Sequence, residues 1–88
     1  MRVDDFLSSV GVIKRRTVAK EMADNGLVLI NGAKAKPSRE IHAQDRVAIK
    51  GKNQMEILVL EVPTGNVSKA RRGEYFSILS GSTSEIDF

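Results

Sequence analysis

Few side chains in this 88-residue chain could do covalent or metal chemistry, and their types narrow its function. It has no cysteine and one histidine, His42, so neither a thiolate cluster nor a histidine-rich set is available to hold zinc. His42 stands without a nucleophile at a useful spacing and reads as a surface-loop residue. No paired carboxylates mark a general acid and base, and "NG" and "GSTS" lack the glycine spacing of a Walker or dinucleotide loop. The expectation is a non-enzymatic protein without a cofactor or metal. What remains is the chemistry of fixed positive charge, concentrated in "VIKRRTVAKEMADNG", where Lys14, Arg15 and Arg16 are consecutive and Lys20 follows one turn later. Guanidinium groups form paired hydrogen bonds to phosphate oxygens, whereas lysine acts as a point charge.

The charge is unevenly distributed. Residues 1–52 hold eleven Lys/Arg against six acids, and residues 53–88 hold three against five. A polyanionic partner is therefore expected to meet the N-terminal part. A hydrophobic share of 41% is that of a folded chain, and the length suffices for one small domain with a modest core. "MRVDDFLSSV" holds no apolar run long enough for a signal peptide or membrane span, so a soluble cytoplasmic protein is expected.

The elements that must position these cations follow from periodicity. Val3, Phe6, Leu7 and Val10 fall at i, i+3, i+4 and i+7, the stripe of a short amphipathic helix that Gly11 would stop. A second helix, roughly 15–25, buries Val18, Ala19, Met22 and Ala23 and ends at Gly26 in the left-handed conformation. At about 100° per residue, Arg16 and Lys20 project together on the flank of its buried face. In "LVLINGAKAKP", Asn31-Gly32 signals a two-residue type I′ hairpin. That turn pairs Ile30 with Ala33 and Val28 with Ala35 on a packing face, leaving Lys34 and Lys36 with Leu27 and Leu29 on the other. Val47 and Ile49 alternate inward in "RVAIK", "GKN" turns the chain, and "QMEILVLEV" is the most apolar strand, ended by Pro63. Beyond Thr64 the signals weaken: Ser68 could cap a short helix through "KARRGEYFSIL", which Gly73 makes irregular, and "SGSTSEIDF" reads as a frayed acidic terminus.

Two observations separate a solvated helix face from an anion-binding edge. Three cations crowd the start of the second helix, where the dipole and free N–H groups favour anions and a chain optimised for stability alone would place acids. The four aromatics, Phe6, Tyr75, Phe76 and Phe88, are not interleaved with basic residues, so base stacking on a sheet is not the mode expected. A nucleic-acid partner would be gripped through phosphates and sugars of a folded shape.

The ordered set "RVDDFL", "RRTVAKEMADNGLVLINGAKAKPSREI" and "QDRVAI" resembles the RNA-binding domain named after small-subunit ribosomal protein S-four, densely over residues 1–50. Within that family it is most similar to the small stand-alone bacterial members, the ribosome-associated quality-control factors and ribosome-associated heat-shock proteins. The resemblance implies an α+β fold, with two N-terminal helices packed on a small, strongly bent antiparallel sheet of about four strands. It implies an RNA-binding domain over 1–63 with a partly flexible C-terminal extension over 64–88. It places the motif's recognition arginine on Arg16 and the leading arginine on Arg2. Lys14, Arg15 and Lys20 extend that helical edge, and Lys34, Lys36 and Arg39 follow from the hairpin and its exit. Asn31 and Gly32 shape the turn, and Asp4 is helix N-terminal or arginine-orienting rather than RNA-contacting. Two positions depart from the pattern: Arg15 replaces a small hydroxyl residue and so lacks an N-cap side chain, and Gln44 stands where the family has glycine.

The reading that results is a monomeric, bacterial, cytoplasmic RNA-binding protein. It docks on large-subunit ribosomal RNA, with peptidyl-tRNA and a tail-adding quality-control factor as further partners, and takes part in rescue of stalled large subunits. The alternatives are an accessory role in ribosomal RNA maturation or subunit assembly, and a protein-interaction adaptor that needs no RNA. No membrane partner is expected.

Overall fold

A computed structural model describes residues 1–51, 54–65 and 67–80. Two residues of the expected "GKN" turn and all but the first of "SGSTSEIDF" lie outside that set.

The first apolar stripe forms α1 (Val3–Ser9), with Val3, Phe6 and Leu7 fully buried and Val10 closing its end. Gly11 then takes φ +78°, which turns the chain sharply. Helix α2 (Arg16–Asp24) buries Ala19, Met22 and Ala23, leaves Val18 half-buried, and is followed by Gly26 at φ +74°. Strands β1 (Val28–Ile30) and β2 (Ala33–Lys34) are joined by Asn31 and Gly32 at φ +52° and +86°, the double left-handed geometry that Asn-Gly favours. Ile30 pairs with Ala33 and Leu29 with Lys34, the register expected from the turn, but Ala33, expected on the packing face, is exposed beside the turn, and of the two alanines only Ala35 is buried.

Strands β3 (Arg46–Ile49), β4 (Met55–Val59) and β5 (Phe76–Ser80) complete an antiparallel sheet of order β2-β1-β3-β4-β5. Val28, Ile30, Val47, Ile49, Met55, Ile57 and Val59 alternate onto one face and form a single core with the helices. The sheet thus has five strands where about four were expected. β5 has an incomplete alternation, with Phe76 and Ile78 only half-buried, and its pairing with β4 is irregular between Glu56 and Ile57. Residues 76–79, expected to continue the helix from Ser68, belong instead to this strand, because the open edge of β4 supplies backbone partners that a helix here would forgo. Between β4 and β5, Lys69–Glu74 form a 3₁₀ helix preceded by Ser68, whose side chain makes no capping bond.

A polar knot fixes the mouth of the hairpin. The Asn31 amide donates to Asp45 Oδ1 at 3.1 Å and its carbonyl oxygen accepts from the Arg46 N–H at 3.0 Å. Asp45 Oδ2 in turn accepts from the His42 N–H at 2.9 Å. This tight 42–45 turn forces Gln44 to φ +75°, a conformation that L side chains with a Cβ resist. Glycine at this position should relieve that strain, partly offset by the freedom it adds to the unfolded chain. Gln44→Gly is expected to stabilise the protein by about 0.5–1 kcal/mol and raise the thermal midpoint by about 2–6 °C. A lower midpoint would show that contacts of the Gln44 side chain outweigh its backbone strain.

Candidate nucleic-acid interface

The basic edge is organised by a buried acid. Asp4, in the first turn of α1, is 1% exposed, and a carboxylate so placed must be compensated. Its Oδ1 accepts from the Asp5 N–H at 2.7 Å, and its Oδ2 faces Arg2 Nη2 at 3.1 Å and Arg16 Nε at 3.7 Å. Asp5 adds a contact from Oδ1 to Arg16 Nη1 at 3.2 Å. Arg2 and Arg16 are nonetheless 44% and 51% exposed, so each guanidinium is held on its inner side and open on its outer side. α2 has no acid in its own first turn and begins from Arg15 without a side-chain cap. α1 supplies the missing negative charge through Asp4 and Asp5, which lie across the helix–helix contact.

The chain that leaves the hairpin is tied to the same point. Val3 N–H donates to the Arg39 carbonyl at 2.7 Å, Ile41 N–H to the Met1 carbonyl at 2.9 Å, and Arg2 and Glu40 form an antiparallel bridge. These bonds bring the 36–39 turn against the start of α1. Arg2, Asp4, Arg16, Thr17 and Lys20 line a hollow of about 230 Å³. A neighbouring cleft of about 440 Å³ is lined by Arg2, Lys20, Ala23, Asp24, Lys36, Pro37 and Ser38. Arg2 and Lys20 belong to both, so the two openings form one basic furrow from the start of α2 to the hairpin exit. Lys20 makes no ion pair with Asp24, although their i, i+4 spacing would permit one.

The expected site residues therefore separate by position. Arg2, Arg16, Lys20 and Lys36 line the furrow. Lys14, Arg15 and Arg39 are exposed but line neither opening. Lys34 lies at the far end of α2, its stem packed over Gly26, where a Cβ would sit 3.3 Å from Lys34 Cδ. Thr17 and Ser38 join the lining and add hydroxyls that can donate to phosphate oxygens. Thr17 was legible only through its place between Arg16 and Lys20 on one helix face, and Ser38 only through the "KPS" turn. Beyond this edge, Arg71 is bound to Glu74 at 2.9 Å, a hydrogen bond and charge that raise its already high pKa. Arg72 packs against the Gly11 backbone, with Nη1 2.9 Å from where a Cβ on that glycine would stand. Among the described residues no helix is long and apolar enough to cross a membrane.

The S4 domain family matches residues 1–47. A Helicobacter pylori strain J99 protein named RQC P-site tRNA stabilizing factor is 43% identical over 65 residues, covering 73% of this chain and 77% of its own length. A Streptococcus pneumoniae strain R6 protein of the same name is 40% identical over 76 residues, covering 85% and 86%. Among solved structures, the trimeric Vibrio cholerae Heat Shock Protein 15 superposes with a TM-score of 0.81 at 21% identity, over 91% of this chain and 82% of the other, a likeness of fold.

Because Asp4 is buried and shared, its loss should cost more than the loss of either arginine. Asp4→Asn is expected to destabilise by about 1–3 kcal/mol, and Arg16→Ala, half exposed, by about 0–1 kcal/mol. Thermal unfolding of the two variants checks this order, and equal costs would remove Asp4 from its organising role.

Proposed function

This chain belongs to the S4 domain family and to the RQC P-site tRNA stabilizing factors within it, and from that premise we propose that it is an RNA-binding factor of bacterial ribosome-associated quality control. It docks in the cytoplasm on structured RNA of the large ribosomal subunit and steadies a tRNA there. The observation that carries the reading is the pair of half-exposed arginines, Arg2 and Arg16, anchored from behind on Asp4.

The mechanism is selection of shape by pre-oriented charge. A free arginine loses rotamer freedom when it grips a phosphate, at a cost of about 0.5–1.5 kcal/mol for each side chain ordered. Asp4 and Asp5 hold the Arg16 guanidinium before RNA arrives, so less freedom remains to be lost. Lys20 and Lys36 line the furrow with them as point charges. Thr17 and Ser38 contribute hydroxyl donors. An RNA backbone laid in the furrow meets charge from two elements distant in sequence, and its path is thereby constrained. No step requires bond making or breaking, and the protein acts as a brace rather than as an enzyme. Its partners are large-subunit ribosomal RNA and the peptidyl-tRNA of an obstructed subunit, together with the factor that extends the stalled chain. It acts as a monomer. Lys14, Arg15, Lys34 and Arg39 strengthen the field around the furrow and help draw RNA towards it.

Co-sedimentation with isolated large subunits carrying peptidyl-tRNA tests the reading. Arg2→Ala and Arg16→Ala should each weaken association about tenfold and reduce the slope of log affinity against log salt by about 0.7–0.9. Lys69→Ala, an exposed cation on the 3₁₀ helix, should leave association unchanged. Wild-type association of both arginine variants would overturn the assignment. Association that survives RNase treatment would replace it with a protein adaptor.

A further inference from the structure

On the other flank of Asp5 the surface changes sign. A groove of about 900 Å³ runs between the start of α1, the 40–43 segment and the chain after β4. Its apolar lining is Met1, Ile41, Leu60, Val62 and Pro63, of which Leu60 is 42% exposed. Its acidic side chains are Asp5, Glu40 and Glu61, no Lys or Arg lines it, and its other ionisable groups are His42 and the amino group of Met1. Asp5 is engaged by Arg16, whereas Glu40 and Glu61 form no ion pair within 4 Å among the described residues, Glu61 feeling Arg71 only at longer range. RNA is an unsuitable occupant, because its phosphates would meet the carboxylates of Asp5, Glu40 and Glu61 with no Lys or Arg lining the groove. A membrane surface is unsuitable for the same reason, as anionic headgroups repel such a groove.

We propose that this groove docks a segment of a partner protein in which a Lys or Arg lies beside an apolar side chain. The cation bridges Glu40 and Glu61 through charge-assisted hydrogen bonds, and the apolar neighbour covers Leu60 and Val62. Charge complementarity selects the occupant, and the exposed leucine supplies apolar area that a folded surface otherwise tends to cover. The groove and the basic furrow lie on either side of the α1 N-terminus, with Asp5 lining the groove and holding Arg16 of the furrow. One molecule can thus hold RNA on one side and a basic polypeptide on the other. The inference is independent of the RNA reading.

The test uses short synthetic peptides, one of alternating Lys and Leu and one of alternating Glu and Leu, titrated into the isotopically labelled full chain. Amide shifts should move at 40–43 and 60–65 with the Lys–Leu peptide and not with its acidic counterpart. Charge reversal in a Glu40→Lys/Glu61→Lys variant should weaken the peptide about tenfold or more while leaving large-subunit association intact. The spectrum of that variant, whose changes are on the surface, reports directly that it is folded. Equal binding of both peptides, shifts confined to other residues, or undiminished binding to the variant would each overturn the proposal. So would a self-association of the chain that charge reversal abolishes, since the occupant would then be a second copy. Loss of RNA association in Arg16→Ala with peptide binding retained would leave this inference standing.

Discussion

The buried carboxylate of Asp4 is the constraint on which the basic edge depends. A carboxylate removed from water must be compensated, and here the compensation comes from a backbone N–H and two guanidinium groups that remain open to solvent on their outer sides. The arginines satisfy the acid, and the acid fixes their direction. Because Arg2 precedes α1 and Arg16 begins α2, the same contact also locks the angle between the helices at the point where RNA would bear on them.

The same contact accounts for an otherwise unfavourable arrangement at the start of α2. Lys14, Arg15 and Arg16 stand where the helix dipole repels cations, at a cost of about 0.3–1 kcal/mol each, and Arg15 contributes no cap. Asp4 and Asp5 sit in the first turn of α1, where acids suit that helix's own dipole, and also reach across to Arg16. Negative charge placed for one helix thus relieves the other. The remaining positive potential faces outward, where an anion is the natural complement.

The hairpin contributes through a different kind of constraint. Asn31 is chosen twice over, since its backbone accepts the left-handed turn and its amide ties that turn to Asp45 and Arg46. With the knot closed, the chain between β2 and β3 must return along the start of α1, and the bonds from Val3 and Ile41 secure it there. This path delivers Lys36 to the cleft it shares with Arg2, while Lys34, two residues earlier, packs over Gly26 beyond the end of α2. Strand alternation alone would not separate these lysines, for it puts both on one face. The twist and early end of β2 do.

Local pattern therefore determined the two helices, the Asn-Gly turn, the register of the first hairpin and the inward sets of β3 and β4. Each rests on periodicity or on a backbone angle that few residue types accept, and both act within a few positions. The resemblance carried by the ordered motifs pointed to Arg16 and Arg2 and left Asp4 as either a helix N-terminal or an arginine-orienting residue, a choice made by its contacts to both arginines. What pattern could not supply was distance between segments far apart in the chain. Only the packed structure decides that Lys36 and not Lys34 joins Arg2, that Thr17 and Ser38 share the furrow, and that Asp5 and Glu40 meet Glu61 in an acidic groove. Local pattern misreads β5 as helix for the same reason: its partial alternation becomes a strand only when β4 offers an open edge. Charge and apolar spacing are written along the chain, but which charges face one another is set when the core closes and draws the ends of its elements together.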